Sequence, residues 1–166
     1  MSRQRKPILF LLGAALLVCA LLAGWRVLSL QQADRWADKD PARALQWRAG
    51  HPLALRRLAE QQLAAGQVDA AQATARHLLS VEPLEGRGFR LLAEAAAQQG
   101  DLAQAQALYE IAARRSPRDV RTRAWLIEHS LVAGDFPAAL QHVDALLRTS
   151  PGQSGVLMPL LAKLSA

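Results

Sequence analysis

The residue types that most often catalyse reactions or bind metals are scattered along this sequence. The four histidines include no His-x-x-x-His pair and have no cysteine beside them; they are His51, His77, His129 and His142. The one cysteine, Cys19, lies inside an apolar run, so neither an intramolecular disulfide nor a multi-cysteine metal site can form. Serines lie mostly at predicted helix ends, where their hydroxyls cap the backbone: Ser116, Ser150 and Ser154. The sequence therefore predicts no catalytic residue, metal site, cofactor or small-molecule substrate, and a protein that is not an enzyme.

The charge of the chain invites a nucleic-acid-binding interpretation, since the formal net charge is +6 and the pI is near 10.7. However, four of the 20 cations lie in or beside an N-terminal apolar segment that has no acidic residue: Arg3, Arg5, Lys6 and Arg26. The remaining 16 lysines and arginines are nearly balanced by 14 acidic residues. No glycine-rich phosphate loop is present. The excess charge therefore mainly predicts membrane topology, and we expect no nucleic-acid partner.

The elements that position the charged residues recur every 34 residues. Three sets of residues share this spacing: Gly66, Gly100 and Gly134; Glu60, Glu94 and Glu128; Pro83, Pro117 and Pro151. Three blocks, 50–83, 84–117 and 118–151, align without a gap, and each contains two runs with apolar residues at helical spacing. A 34-residue period with a central glycine and a terminal proline is typical of helix-turn-helix solenoids.

These residues resemble the tetratricopeptide repeat (TPR) family over residues 40–166. The resemblance lies in the Gly-Asp turn, the small residue four places after that aspartate (Ala105 and Ala139), the aromatic Tyr109 and the closing proline. In the family pattern a tryptophan opens each repeat. This chain departs from that pattern, because Leu55, Phe89 and Arg123 occupy the corresponding positions. The resemblance implies an all-α fold, a right-handed α-solenoid of helix-turn-helix repeats that binds protein partners.

In TPR folds the first helix of each pair lines a concave groove. The resemblance therefore implies a partner-binding groove formed by Arg56, Glu60, Arg87, Arg90, Glu94, Arg121 and Glu128. Arg56–Glu60 and Arg90–Glu94 have i,i+4 spacing, so they form either a mixed-charge groove floor or merely solvated pairs worth a few tenths of a kcal/mol. The glutamates stand where a chaperone-binding Lys/Asn clamp needs asparagine, which disfavours a carboxylate ligand. Charge reversal at Glu94 is expected to impair partner binding without unfolding the domain.

Five arginines crowd the junction between the second and third blocks: Arg114, Arg115, Arg118, Arg121 and Arg123. They form either a dock for an acidic partner or anionic headgroups, or a solvated edge balanced by Glu110 and Asp119. We favour the solvated edge.

Both ends of the array are irregular. Asp40 and Pro41 predict the start of a helix, so residues 41–49 are interpreted as half a repeat, preceded by a connector at 31–40. Residues 154–165 fall in register as a terminal helix with apolar residues Leu157, Leu160, Leu161 and Leu164. This helix packs on the third repeat, leaves a surface for a partner, or continues in missing chain.

Residues 1–30 are interpreted as a cytoplasmic basic tip and a single transmembrane helix. Residues 8–25 form an uncharged run that spans about 27 Å as a helix, close to the apolar thickness of a bilayer. Basic residues before the run predict an N-in orientation. The alternatives are a signal peptide cleaved near Val18-Cys19-Ala20, a lipoprotein signal and a buried globular helix. We favour the anchor because the cleavage site falls inside the apolar run and little else covers the helix.

The predicted function is that of a membrane-anchored TPR scaffold or adaptor. The Ala- and Arg-rich composition suggests a bacterium, with the anchor in the inner membrane and the repeats in the periplasm. Anchored TPR proteins of this kind serve polysaccharide export, envelope biogenesis, cytochrome maturation and secretion. The alternative is an accessory, non-catalytic subunit of a stable membrane enzyme complex.

Overall fold

The computed structural model describes the backbone of residues 5–149 and the side chains of residues 16–149. Within that range the chain forms helices, turns and connecting segments, which confirms the all-α prediction. The helices are α1 (Arg5–Trp36), α2 (Pro41–Trp47), α3 (Pro52–Ala64), α4 (Val68–Val81), α5 (Gly86–Gln98), α6 (Leu102–Arg115), α7 (Val120–Val132) and α8 (Phe136–Thr149). The predicted terminal helix 154–165, with Leu157, Leu160, Leu161 and Leu164, lies outside the described residues. The chain divides after Ala54 into two compact units, each described separately.

In the first unit, α1 is the one described helix long and apolar enough to cross a membrane. Within its segment Leu16–Trp36, an 18-residue window has a mean hydropathy of 1.4, and only 6% of that window is buried. A signal sequence near the N-terminus passes the same test of length and composition. Nearly all side chains from Leu16 to Leu30 are exposed, so the described residues do not bury this part of α1.

The same helix extends into the predicted connector. α1 continues to Trp36 because neither glycine nor proline interrupts residues 31–36. Asp40 then accepts a hydrogen bond from the Arg43 backbone N–H at 3.0 Å, and Pro41 occupies the first turn of α2, as predicted. The Arg43 guanidinium lies 4.1 Å from the centroid of the Trp36 ring.

A buried histidine lies near the end of this first unit. His51, only 5% exposed, accepts the Ala54 backbone N–H at Nδ1 (3.3 Å). Its other ring nitrogen must then carry the proton, and Nε2 donates to Asp34 Oδ1 at 2.7 Å. His51 therefore caps the start of α3. Its two hydrogen bonds account for its burial, and a role as a metal ligand is not needed to explain it.

In the second unit, α3 to α8 form three helix pairs joined by the predicted glycine turns. Gly66, Gly100 and Gly134 have φ of 72°, 83° and 74°. At the middle turn, Gly100 N–H donates to Ala97 O at 3.1 Å and Asp101 N–H donates to Ala96 O at 3.0 Å, which is a Schellman motif. The Asp101 side chain then accepts the Gln104 N–H at 2.9 Å and caps α6. In the first pair Gln67 replaces this aspartate and makes no side-chain cap.

Replacing Gly100 with alanine is expected to lower the free energy of unfolding by about 1–2 kcal/mol, since a Cβ is strained at positive φ. Apart from its two chain neighbours, no described residue has an atom within 4 Å of that Cβ position, so the loss is conformational and not steric. Urea denaturation followed by circular dichroism measures it. Gly24→Ala is the matched control, because its Cβ position is also open but its φ is not positive. Equal stability of the two variants would contradict the prediction.

Alanine dominates the core of the second unit. Between the second and third pairs, the buried cluster contains four alanines besides Tyr109 and Leu126: Ala93, Ala96, Ala105 and Ala113. Ile127, Val143 and Leu146 form a further cluster between α7 and α8. Small side chains let the helices approach closely, so each large residue fills a space that its neighbours cannot close.

Candidate partner-binding site

The centre of the candidate site is a buried arginine on α5. Arg90 is only 3% exposed, yet its guanidinium meets carboxylates from three parts of the chain. Nη2 donates to Glu60 Oε1 of α3 at 2.8 Å, and Nη1 donates to Glu94 Oε1, one turn along α5, at 2.5 Å. Nε lies 3.1 Å from Oδ2 of Asp119, the N-cap residue of α7. One cation therefore connects the first helices of all three pairs.

Local packing brings these groups together. A Cβ at Gly86 would lie 2.8 Å from Ser116 Cβ and 2.9 Å from Arg115 Cβ, so only glycine lets α5 start this close to the end of α6. Asp119 follows Ser116 within one turn, and the Ser116 carbonyl accepts its N–H at 3.0 Å. The close approach at Gly86 therefore places Asp119 near the base of α5.

The electrostatics of the network favour the charged forms. Burial by itself raises the pKa of Glu60, but the hydrogen bond and charge of Arg90 outweigh burial, and the pKa lies below its usual 4.5. Burial likewise opposes the charge of Arg90, and the carboxylates of Glu94 and Asp119 outweigh it, so the pKa of Arg90 is raised. The charged forms of Glu60 and Arg90 are therefore stabilised by their partners.

Above this network lies a solvent-open depression of about 290 Å³, here called the arginine depression. It is lined by Arg56, Arg57, Glu60, Arg87, Arg90, Asp119, Val120 and Arg121. Five of the seven residues predicted for the groove therefore meet here: Arg56, Glu60, Arg87, Arg90 and Arg121. Five arginines face two carboxylates in the lining, so the depression is cationic even though its floor is mixed.

The other two predicted residues lie elsewhere. Glu94 pairs with Arg90 but does not line the depression. Glu128 borders a separate recess of about 240 Å³, together with Leu102, Trp125, His129 and Val132. The structure thus divides the predicted set between two places.

Two expectations about the charged pairs need correction. Arg90–Glu94 is not a solvated surface pair, because Arg90 is buried. Glu60 forms its ion pairs with Arg57, at 3.3 Å, and with Arg90, and not with Arg56. Charge reversal at Glu94 would place a second cation beside the buried Arg90, so we expect it to destabilise the fold and not to test binding alone.

The five arginines at the junction between the second and third blocks lie in different environments. Arg123 is half-buried: its guanidinium donates to Ala113 O at 3.3 Å and lies 3.0 Å from His142 Nδ1. Burial, and then the charge of Arg123, lower the pKa of His142, which keeps that nitrogen available as an acceptor. Arg114 is exposed, 4.0 Å from Glu110. Arg121 lines the arginine depression, so neither of the two predicted alternatives describes the whole group.

An aromatic stack lies beside the second recess. The Trp125 ring stacks on Tyr109, with centroids 4.2 Å apart, and on His129, with centroids 4.7 Å apart. Tyr109 is buried in the core, as expected for a packing residue. Among residues 16–149 no group of three or more His, Cys, Asp or Glu side chains is arranged to hold a metal ion.

A sequence profile described as tetratricopeptide repeat matches residues 56–105 and, in an overlapping second match, residues 90–154. The two matches together cover more than half of the chain. This chain belongs to the TPR family. TPR domains are in general non-catalytic modules that bind other proteins, so the repeats are a protein–protein interaction scaffold. No curated protein matches the sequence.

A solved structure supports the fold of these TPR helices. The chain described as "MamA RS-1 ArsTM double mutant" superposes with a TM-score of 0.55 at 18% sequence identity. The similarity covers 75% of the present chain and 69% of that chain. At this identity the likeness concerns the fold alone.

Sequence reasoning missed Asp119 and Arg57 as site residues. Asp119 had a detectable signal: it lies 34 residues after Glu85, and each accepts the backbone N–H of the arginine two residues on, Arg121 and Arg87. This repeated cap fixes both arginines in the first turn of a first helix. Arg57 has no counterpart at the same position of the later repeats, where Leu91 and Trp125 stand, so periodicity did not reveal it.

Proposed function

We propose that this protein is a membrane-anchored TPR adaptor that holds a protein partner at the arginine depression. The observation that most directly supports this proposal is the buried Arg90 network. It connects the first helix of each of the three pairs beneath an open, charged recess. Binding sites gain affinity when their groups are ordered before the ligand arrives, because less conformational entropy is then lost. Glu60, Arg90 and Asp119 in the lining of this recess are ordered in that way.

The membrane part of the proposal is supported by α1. Its apolar side chains from Leu16 to Leu30 are exposed in the chain, and a bilayer would cover them. With the basic N-terminus in the cytoplasm, the repeats lie on the periplasmic side of the inner membrane and serve an envelope assembly, such as one for export, biogenesis, cytochrome maturation or secretion.

Cysteine labelling in intact cells tests this topology. In a Cys19→Ser background, a membrane-impermeant maleimide is expected to label Ala42→Cys in intact cells, because Ala42 is exposed and lies after the anchor. Ser2→Cys is the control, and it is expected to react only after the cells are permeabilised. The reverse pattern would show the opposite orientation, and loss of the N-terminal label from the mature chain would show a cleaved signal sequence.

Site-specific photo-cross-linking tests the binding face. A photoreactive residue at Val120, which lines the depression, is expected to cross-link one defined partner, whereas the same residue at the exposed Ala73 of α4 is not. Mass spectrometry identifies the partner. Equal cross-linking from both positions would contradict binding at the depression.

The alternative, an accessory subunit of a membrane enzyme complex, has one supporting observation. Apart from the neighbouring backbone of α1, no described residue has an atom within 4 Å of the Cβ position of Gly24, so this small-residue site could receive another transmembrane helix. A stoichiometric complex that survives detergent and size exclusion supports the subunit function, while a chain that elutes alone and captures its partner only transiently supports the adaptor.

A further inference from the structure

Internal pairing leaves three cations of the arginine depression without a carboxylate. Arg90 is occupied by Glu60, Glu94 and Asp119, and Arg57 also pairs with Glu60. Within residues 16–149, no carboxylate oxygen lies within ion-pair distance of the three remaining guanidiniums, those of Arg56, Arg87 and Arg121. These three guanidiniums are available to an anionic ligand.

The environment of Arg56 shows the effect of this imbalance. Burial lowers the pKa of Arg56 and the charge of Arg87 lowers it further, while the charges of Glu60 and Glu85 oppose these effects only in part. The Arg56 Nε atom is also buried without a hydrogen-bond partner among the described residues. A positive potential therefore remains in the depression after the internal acids are counted, and an anion placed there would relieve it.

The cations extend over more than one contact point. Arg87 and Arg121 are the second residues of α5 and α7, at the same position in successive repeats. Arg87 also lines an adjoining recess of about 320 Å³ with Arg118. A ligand with a single charge would leave most of these cations unmatched, whereas a chain segment with several acidic side chains could reach them in turn.

The lining does not suit a terminal carboxylate held by amides. The sequence contains no asparagine, and no side-chain amide lines the depression. Nor does it suit a lipid surface, because the cations lie in a recess beside the Glu60 and Asp119 carboxylates and would have to project from a surface to reach headgroups.

We propose that the arginine depression binds an acidic segment of a protein partner through two or more aspartate or glutamate side chains, without a free C-terminus. This inference rests on the adaptor function proposed above and names the chemistry of its partner. It also revises the expectation that the groove glutamates repel carboxylates, because Glu60 is paired with Arg57 and Arg90, and Glu94 with Arg90.

Peptide binding to the full chain in detergent tests this directly. The probe is a fluorescent twelve-residue peptide of alternating glutamate and serine with an amidated C-terminus, followed by fluorescence anisotropy. We expect it to bind, and the double variant Arg87→Gln/Arg121→Gln to weaken it by about tenfold or more, as expected for the loss of two charge-assisted contacts. Arg76→Gln, at an exposed arginine of α4, is the matched control and should leave the Kd unchanged. Circular dichroism confirms that all variants are folded.

Three results would overturn the proposal. Binding that is equal in the double variant would place the peptide elsewhere, and much tighter binding of a peptide with a free C-terminus would assign a terminal carboxylate. Retention of phosphatidylglycerol vesicles without peptide binding would assign a lipid surface. If the Val120 cross-link forms while the peptide fails, the adaptor function stands and only this partner chemistry is wrong. If the cross-link also fails, the proposed function fails with it.

Discussion

Replacing Arg90 with methionine is expected to lower the free energy of unfolding of the repeat helices by about 3 kcal/mol, because removing one partner of a buried ionic network leaves the others uncompensated. Glu60, Glu94 and Asp119 would then lie close together without their shared cation. The expected loss is at the lower end for buried pairs, because the Glu60 and Glu94 side chains are 23% and 25% exposed and water can reach them.

A compensated variant separates charge from packing. Arg90→Met combined with Glu60→Gln and Glu94→Gln removes the cation together with two of the carboxylates. It is expected to recover most of the lost stability, since replacing a whole buried ionic network by uncharged groups often changes the free energy of unfolding very little. Urea denaturation followed by circular dichroism measures both variants. If the triple variant is no more stable than Arg90→Met, the loss comes from packing and not from charge.

The same variant changes how stability depends on pH. In the native chain the pKa of Glu60 lies below its usual 4.5, so its ionised form contributes stability above that pH, which is lost as the pH falls through the folded pKa. Without Arg90 the main contribution that lowers the pKa of Glu60 is lost, and only the charge of Arg56 and the hydrogen bond of Arg57 still oppose burial. Arg90→Met is therefore expected to lose less stability than the native chain as the pH falls below 4.5. Parallel pH profiles would contradict this account.

Truncation of Tyr109 to alanine is expected to lower the free energy of unfolding by about 3–5 kcal/mol, the usual loss for a buried aromatic ring. Tyr109 is 3% exposed and is packed among alanines between the second and third helix pairs. Alanine side chains cannot move in to fill the space, so a cavity remains. The Trp125 ring also loses its stacking partner.

Tyr109→Phe keeps the ring and is the matched control, expected to remain within about 1 kcal/mol of the native stability. Urea denaturation by circular dichroism gives both values. Each repeat contacts only its neighbours, so Tyr109→Ala is also expected to broaden the transition as the third pair uncouples from the second. A loss below 1 kcal/mol, with an unchanged transition, would show that the interface closes around the missing ring.

Much of the fold could be predicted because it depends on short-range chemistry. Glycine at three turns spaced by 34 residues, aspartate after two of them, and Asp40-Pro41 before α2 each act within a few residues of the backbone that they shape. Helix hydrogen bonds likewise join residues four apart. Such signals are visible in a single sequence.

The site was predicted less completely, because its charges are matched across repeats. Arg56 and Arg90 occupy the same position of successive repeats and have the same i,i+4 glutamate. Yet Arg90 is buried among three carboxylates, while Arg56 lacks one within ion-pair distance among the described residues. No rule of local spacing distinguishes them.

The sequence by itself determined that this protein is a TPR-type helical array, which glycines form the turns within its repeats, and that an apolar helix precedes the repeats. Only the tertiary structure decided which arginine is buried among carboxylates and which arginines have no carboxylate within ion-pair distance among the described residues. The physical reason is distance along the chain: Glu60 and Arg90 are 30 residues apart, and their 2.8 Å contact exists only once α3 packs beside α5. A charge at that separation has no effect on the local pattern, but it decides the chemistry of the folded surface.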